Sequence, residues 1–185
     1  MKRGTFKGDN DFYKWWNTVA LNTVERRDLT INALYMGLDG EVVDLVGGLS
    51  DIETQTVRFI GDARERIRED YLRILRFFRF HAWYGDPDQG IDPDGLAACA
   101  AHLEGLASLS RERIGAEIRK LLAAPDPAPA VGSMAQAGVL TAILPGADPT
   151  ALAPLVHLEG GMAPRWQRRL AVLGGDDLQD RLRLS

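Results

Sequence analysis

The chain has 185 residues, which is enough for one ordinary domain or two small ones. Apolar residues make up 45% and charged residues 26% of it, a balance that is typical of a globular protein and excludes a fibrous or disordered one. The net charge of −4 argues against a strongly basic nucleic-acid-binding protein, although seven arginines between positions 58 and 79 form a local field that attracts phosphate.

Cysteine and histidine are too few for disulfide or metal frameworks. Cys99 is the one cysteine, and no charged-then-apolar leader with a cleavage site opens the chain, so the sequence predicts a reducing, cytoplasmic setting. Neither Cys99 nor His102 and His157 have metal-ligand spacing. No apolar run approaches the roughly 20 residues that span a bilayer, so no membrane partner is predicted.

The first third of the chain predicts a few short strands. Residues 1–24 have no clear period and are interpreted as a leader with an aromatic cluster. Two short apolar runs flank Asp39 and Gly40, which predicts a β-hairpin. The segment "LSDIETQ" is typical of a short helix capped by Ser50, and "TVRFIGD" predicts a third strand.

The rest of the chain has the spacing of helices separated by proline- and glycine-rich breaks. Helices are predicted at residues 63–68, 69–84, 94–106 and 111–123, as a pair within 130–144, at 150–158 and 164–173, and from 178 onward. The predicted fold is therefore mainly α, with a small β-hairpin or sheet remnant before it. The last helix reaches Ser185 without a capping residue, and this predicts a piece of a longer protein.

The predicted helix at 69–84 carries charge along an otherwise apolar sequence, "EDYLRILRFFRF". At about 100° per residue, its apolar side chains gather on one face that is expected to meet the core. That face consists of Tyr71, Ile74, Leu75, Phe78 and Ala82. Asp70, Arg73, Arg76 and Arg79 are expected to share the opposite edge.

A carboxylate beside a guanidinium can read a nucleobase. Cytosine and adenine offer an amino donor next to a ring-nitrogen acceptor, whereas guanine and uracil offer a carbonyl next to a ring N–H. Asp70, which only accepts, beside Arg73, which only donates, therefore matches C and A. A solvated surface ion pair, which stabilises a helix by about 0.2–0.5 kcal/mol, explains the same spacing, and the spacing leaves both interpretations open.

Four ordered segments resemble the class II CCA-adding tRNA nucleotidyltransferase and poly(A) polymerase family. They are "RRDLTINALY" from Arg26, "VDLVGGLSD" from Val43, "RFIGDARERIREDYLRILRFFRF" from Arg58 and "SRERIGAEIRKLL" from Ser110. The resemblance implies that residues 25–62 end a nucleotidyltransferase head, that 63–124 form a helical neck, and that 125–185 form part of a helical body.

The resemblance also implies roles for single residues. Arg27 and Asp28 match the motif that contacts the ribose and phosphates of the incoming nucleotide. Asp70 and Arg73 match the protein template that selects CTP and then ATP, with Arg76 and Arg79 as further nucleotide contacts. Asp44, Gly47 and Gly48 match a flexible hinge that reshapes the pocket between C and A addition, although an ordinary tight turn explains the glycines equally.

The metal-binding part of the family pattern is not found in the sequence. The family uses a Gly-Gly-x-x-Arg-Asp turn and an Asp-x-Asp pair for Mg²⁺, and Asp9 and Asp11 lie too close to Arg26 to be that pair. Because phosphoryl transfer needs metal-bound carboxylates, no residue of this chain is predicted to bind the metal, and nucleotide binding without turnover is expected.

The resemblance implies CTP, ATP and tRNA as partners, and leaves the oligomeric state open. A poly(A) polymerase of the same family remains an alternative. A non-catalytic helical RNA-binding module and a nucleotide-dependent regulator also remain open.

Overall fold

The structure is a computed structural model that describes residues 27–36 and 40–183. Within these ranges the chain forms two strands, two 3₁₀ turns and ten α-helices, which confirms the mainly α fold. The strands are β1 (Leu34–Met36) and β2 (Val42–Asp44), and the 3₁₀ turns are Thr30–Asn32 and Leu103–Ser108. The helices are α1 (Gly48–Glu53), α2 (Ala63–Glu69), α3 (Leu72–Tyr84), α4 (Pro93–Ala100), α5 (Arg111–Leu122), α6 (Ala128–Gln136), α7 (Val139–Ile143), α8 (Leu152–Glu159), α9 (Trp166–Leu173) and α10 (Leu178–Leu182).

The predicted hairpin is confirmed. Strands β1 and β2 pair antiparallel, with Tyr35 opposite Val43. The leader at 1–24, including the Asp9 and Asp11 pair, and the turn residue Asp39 lie outside the described residues.

The predicted third strand is wrong. Residues 56–62 form a single antiparallel bridge, between Phe59 and Leu29. The pairing cannot extend because a 3₁₀ turn begins directly after Leu29, while Gly61 takes a left-handed φ of +66° on the other side. The Asp62 carboxylate then accepts two backbone N–H groups and starts α2.

The expected cap of α1, Ser50, is also wrong. The carboxylate of Asp44 accepts hydrogen bonds from the backbone N–H groups of residues 46, 47, 48 and 49, at 2.9–3.0 Å. Asp44 therefore satisfies the N–H groups at the start of α1 from outside the helix, whereas Ser50 lies inside it.

The charged helix begins three residues later than expected, at Leu72 instead of Glu69. Asp70 is extended, with φ −155° and ψ 109°, and its Oδ1 accepts the N–H of Leu72 at 3.0 Å. This local bond competes with a continuous helix, so Asp70 caps α3 and does not lie on its face.

Helix α3 lies at the centre of the core and packs against α5 and α6. The predicted apolar face is correct in that Ile74, Leu75 and Phe78 are buried. In α5, the predicted Ser110 cap and the buried stripe of Ile114, Ile118, Leu121 and Leu122 are both confirmed. One contiguous apolar cluster extends from Leu29 to Leu182.

No helix in the described ranges combines the length and apolar character needed to cross a bilayer.

Candidate functional site

A buried carboxylate joins the arginines of α3 to the segment before β1. Asp28 is buried, and its Oδ1 accepts a hydrogen bond from Arg73 Nε at 2.7 Å. Its Oδ2 accepts from Arg76 Nη1. Residues that the sequence analysis assigned to separate motifs, 45 and 48 positions apart, thus form one cluster.

Arg73 is the most constrained member of this cluster. Its Nη1 donates to the backbone oxygen of Arg66 at 2.7 Å and to the Glu69 carboxylate. Burial would lower the pKa of Arg73, but the hydrogen bond to Glu69 and the charges of Asp28 and Glu69 outweigh it and raise the pKa. The hydrogen bond from Arg73 in turn lowers the pKa of Glu69. Only Nη2 of Arg73 makes no hydrogen bond to any residue that the structure describes.

Asp70 lies at the start of the same helix but has a different partner. Its Oδ2 accepts a hydrogen bond from Nη2 of Arg113, on α5, at 2.7 Å. The Asp70 side chain is 33% exposed, so solvent or a ligand can reach it.

Arg79 points to yet another partner. Its Nε lies 2.6 Å from Oε2 of Glu117, a buried residue of α5, and its guanidinium carbon lies 4.4 Å from the centre of the Phe80 ring. The expected single edge is therefore wrong, because Asp70, the Arg73 and Arg76 pair, and Arg79 meet three different partners. Three residues per step rotate each successive side chain by about 60°, which carries Arg79 from the Asp28 side to the α5 side.

The remaining predicted residues lie on the segment before β1 and in the turn before α1. Arg27 is exposed and has no ion-pair partner within the described part of the chain. Gly47 takes a left-handed φ of +79°. Gly48 is buried, and a Cβ there would lie 2.4 Å from the backbone oxygen of Thr30, so this turn requires both glycines.

Parts of this chain match known families and proteins. A family model described as the poly(A) polymerase head domain matches residues 10–58, and one described as a probable RNA- and SrmB-binding site of polymerase A matches residues 90–150. The mitochondrial CCA tRNA nucleotidyltransferase 1 of Homo sapiens is 49% identical over 98 residues, which are 53% of this chain and 23% of the human protein.

Solved structures agree with these matches. The CCA-adding enzyme of Bacillus stearothermophilus in complex with CTP has a TM-score of 0.63 and 32% identity, over 80% of this chain and 35% of that one. Over these parts the chain is similar to the CCA-adding nucleotidyltransferase and poly(A) polymerase family. The Thermotoga maritima CCA-adding enzyme complexed with tRNA has the same fold, with a TM-score of 0.67 at 24% identity over 90% of this chain and 45% of that one.

The chain spans about a quarter of the length of the human relative that it matches. The head-domain match begins at residue 10, and so it includes part of the segment that was interpreted as a leader.

Magnesium, which the family implies, does not fit the described residues. Within 27–36 and 40–183, no three His, Cys, Asp or Glu side chains come close enough to hold a metal ion. The acidic groups of the site are instead paired with arginine: Asp28 with Arg73 and Arg76, and Asp70 with Arg113.

Sequence reasoning missed three side chains that hold the predicted motif residues in place. Glu69 could have been found, because it lies four residues before Arg73 at the spacing of a helical ion pair. Arg113 and Glu117 could not, since their partners, Asp70 and Arg79, lie 43 and 38 positions away and no local pattern indicates them.

Proposed function

We propose that this chain selects CTP and ATP for a CCA-adding tRNA nucleotidyltransferase, through Asp70 and Arg73 at the start of α3. One observation supports this most. Asp28, Glu69 and the backbone of residue 66 hold the Arg73 guanidinium, and Nη2 is left without a hydrogen bond among the described residues. A donor fixed in this way is preorganised for a base edge, and the partly exposed carboxylate of Asp70 lies three residues before it in the sequence.

The remaining hydrogen-bonding capacity fits cytosine and adenine. Each Asp70 oxygen accepts one hydrogen bond, from Leu72 N or from Arg113, and a carboxylate oxygen has a second lone pair. In the proposal, that lone pair accepts the exocyclic amino group of the base, and Arg73 Nη2 donates to the ring nitrogen. Guanine and uracil would place a carbonyl against Asp70 and a ring N–H against Arg73.

The other arginines predicted to contact the nucleotide differ in how accessible their side chains are to it. Arg27 is exposed, and the Arg76 side chain is 40% exposed, so both can approach a triphosphate. Arg79 can reach a nucleotide only if its pair with Glu117 opens. Asp44, Gly47 and Gly48 act as the hinge.

At the level of the whole protein, residues 25–62 would end the head, 63–124 would form the neck, and 125–185 would form part of the body. The parent reaction adds C, C and A to the tRNA 3′ end from CTP and ATP with Mg²⁺. Because the described residues offer no metal cluster, nucleotide binding without turnover is proposed for the chain by itself. A cytoplasmic location is proposed from the single free, buried cysteine.

The test is the binding of all four nucleoside triphosphates by calorimetry. The unmodified chain is expected to prefer CTP and ATP, and Asp70→Asn is expected to remove about 1–3 kcal/mol of that discrimination, because its amide offers a donor where only acceptors stood. Asp88→Asn is the matched control, since Asp88 is exposed in a loop. Equal binding of all four triphosphates by the unmodified chain would disprove the proposal.

A poly(A) polymerase of the same family is the second candidate, because the descriptions of both matched family models name this polymerase. Such a protein would bind ATP but not CTP, so the same titration separates the two. Incubation with a tRNA that lacks its 3′ end, CTP, ATP and Mg²⁺ tests turnover. Robust addition would contradict the expected lack of activity, and no binding of any nucleotide would favour an RNA-binding module.

A further inference from the structure

A pocket lies further along the face of α3 that carries Arg73. It has a volume of about 520 Å³ and lies between the 3₁₀ turn Thr30–Asn32, helix α1 and the end of α3. Phe80 follows Arg73 by seven residues, or about two helical turns, which places the pocket about 10 Å from Arg73 along the helix axis. None of the residues predicted to contact the nucleotide lines it.

Three aromatic rings from the last two turns of α3 line one wall of this pocket: Phe80, Trp83 and Tyr84. The rings of Phe80 and Tyr84 lie 5.7 Å apart. Trp83 donates its indole N–H to the backbone oxygen of Lys120 at 2.9 Å, which fixes the ring. Trp83 is nevertheless 42% exposed and Tyr84 55% exposed, so aromatic surface is open to a ligand.

Polar groups line the opposite wall. Asn32 Oδ1 is buried and has no hydrogen-bond partner among the described residues. Gln55 takes a left-handed φ of +51°, which is uncommon for a residue with a side chain, and it also lines the pocket. Both side chains are amides, which offer a donor and an acceptor side by side, as the edge of a nucleobase does.

An arginine of α3 lies one helical turn before the lining residue Phe80, outside the lining of the pocket. Arg76 precedes Phe80 by four residues and therefore lies one turn away on the same face. Its Nη1 is paired with Asp28, but its Nε is buried without a hydrogen bond to any described residue, and its side chain is 40% exposed. A phosphate next to a base in the pocket would meet this guanidinium.

We propose that this pocket binds one unpaired nucleobase of an RNA strand. The base stacks on Trp83 and Tyr84, its edge bonds to the amides of Asn32 and Gln55, and its phosphate lies near Arg76. The volume suits one nucleoside, and stacking between aromatic side chains tolerates any base. The inference rests on the proposed function in that it takes RNA as the substrate.

The test measures the binding of adenosine 5′-monophosphate by calorimetry, with ribose 5-phosphate as the probe that lacks the base. Tyr84→Ala is expected to weaken binding about ten-fold or more, because it removes a stacking surface. Tyr84→Phe is expected to retain the affinity. Leu158→Ala is the matched control, since Leu158 is also an exposed apolar residue of a helix end, 76% exposed. Circular dichroism confirms that each variant is folded.

Two further measurements separate this inference from the proposed function. Tyr84→Ala is expected to leave the preference for CTP and ATP over GTP and UTP unchanged, because Tyr84 is not among the residues that the proposed function assigns to the triphosphate. The photolabel 8-azidoadenosine 5′-monophosphate is expected to modify the peptide that contains residues 80–84. The inference is overturned if the unmodified chain binds adenosine 5′-monophosphate no better than ribose 5-phosphate, if Tyr84→Ala binds it normally, if the photolabel leaves residues 80–84 unmodified, or if Tyr84→Ala also abolishes the triphosphate preference.

Discussion

Asp44 concentrates four hydrogen bonds on one carboxylate at the end of β2. Some of these hydrogen bonds come from the first backbone N–H groups of α1, which have no partner within the helix. Burial would raise the pKa of Asp44, but the hydrogen bonds from Leu49, Val46, Gly48 and Gly47 outweigh it and lower the pKa. The residue that the resemblance assigns to a hinge therefore also anchors the turn.

We expect Asp44→Ala to lower the free energy of unfolding by about 1–2 kcal/mol, as the loss of a helix cap does, and Ser50→Ala to change it by less than about 0.5 kcal/mol. Urea unfolding at neutral pH measures both. If Ser50→Ala were the more damaging of the two, the assignment of the cap would be wrong.

The same pair of variants gives a pH dependence with a definite sign. Because the pKa of Asp44 is lower in the folded chain than its ordinary value of 3.8, ionised Asp44 stabilises the fold above that value. The difference between the unmodified chain and Asp44→Ala is therefore expected to shrink as the pH falls below about 4. An unchanged difference at acidic pH would contradict the lowered pKa.

At the scale of elements, the apolar period predicted which segments are helices because a buried stripe repeats every 3.6 residues. It did not predict where they begin. Asp70 ends one helix and caps the next through a bond to Leu72 N, a choice of local hydrogen bonding that periodicity does not record. The strand at 56–62 failed for a similar reason, since β-branched and aromatic residues favour extended backbone whether or not a partner strand is available.

Close approach between helices gives an element-scale prediction from two helical glycines. At Gly115 of α5, a Cβ would lie 1.9 Å from the backbone oxygen of Leu182, whereas at Gly132 of α6 no atom lies within 4 Å. We expect Gly115→Ala to destabilise the chain because α10 must move away from α5. Gly132→Ala is expected to stabilise it by roughly 0.5–1 kcal/mol, because alanine favours a helix interior.

Thermal unfolding of the two variants measures the difference. Gly132→Ala controls for the general effect of alanine in a helix. A Gly115→Ala variant as stable as the unmodified chain would show that α10 is not packed on α5 through this contact.

At the scale of the whole molecule, ion pairs join segments that the sequence analysis kept apart. Asp28 before β1 holds arginines of α3. Buried Arg169 of α9 donates to Glu159 of α8 and to two backbone oxygens at the end of α5, those of Leu122 and Ala124. The resemblance identified the members of the Asp28 cluster in two separate motifs, because each motif is a short stretch of consecutive sequence. The second cluster has no local signal, because an arginine in an amphipathic helix is usually solvated.

One hydrophobic core contains residues from both sides of the predicted boundary between neck and body at 124/125. The apolar cluster includes Leu121 and Leu122 before that boundary, and Val131, Met134 and Leu170 after it. Arg169 bonds across the same point. The neck and the partial body are therefore expected to unfold together as one cooperative unit.

Urea unfolding should accordingly give coincident transitions by far-ultraviolet circular dichroism and by the fluorescence of a variant in which Trp166 of α9 is the sole tryptophan. Arg169→Met should lower both midpoints together, because it leaves the Glu159 carboxylate buried beside a single remaining arginine, Arg168. Arg119→Met, at an exposed position of α5, is the matched control and should shift neither by much. Two separate transitions, with Trp166 fluorescence changing first, would show instead that the body folds independently of the neck.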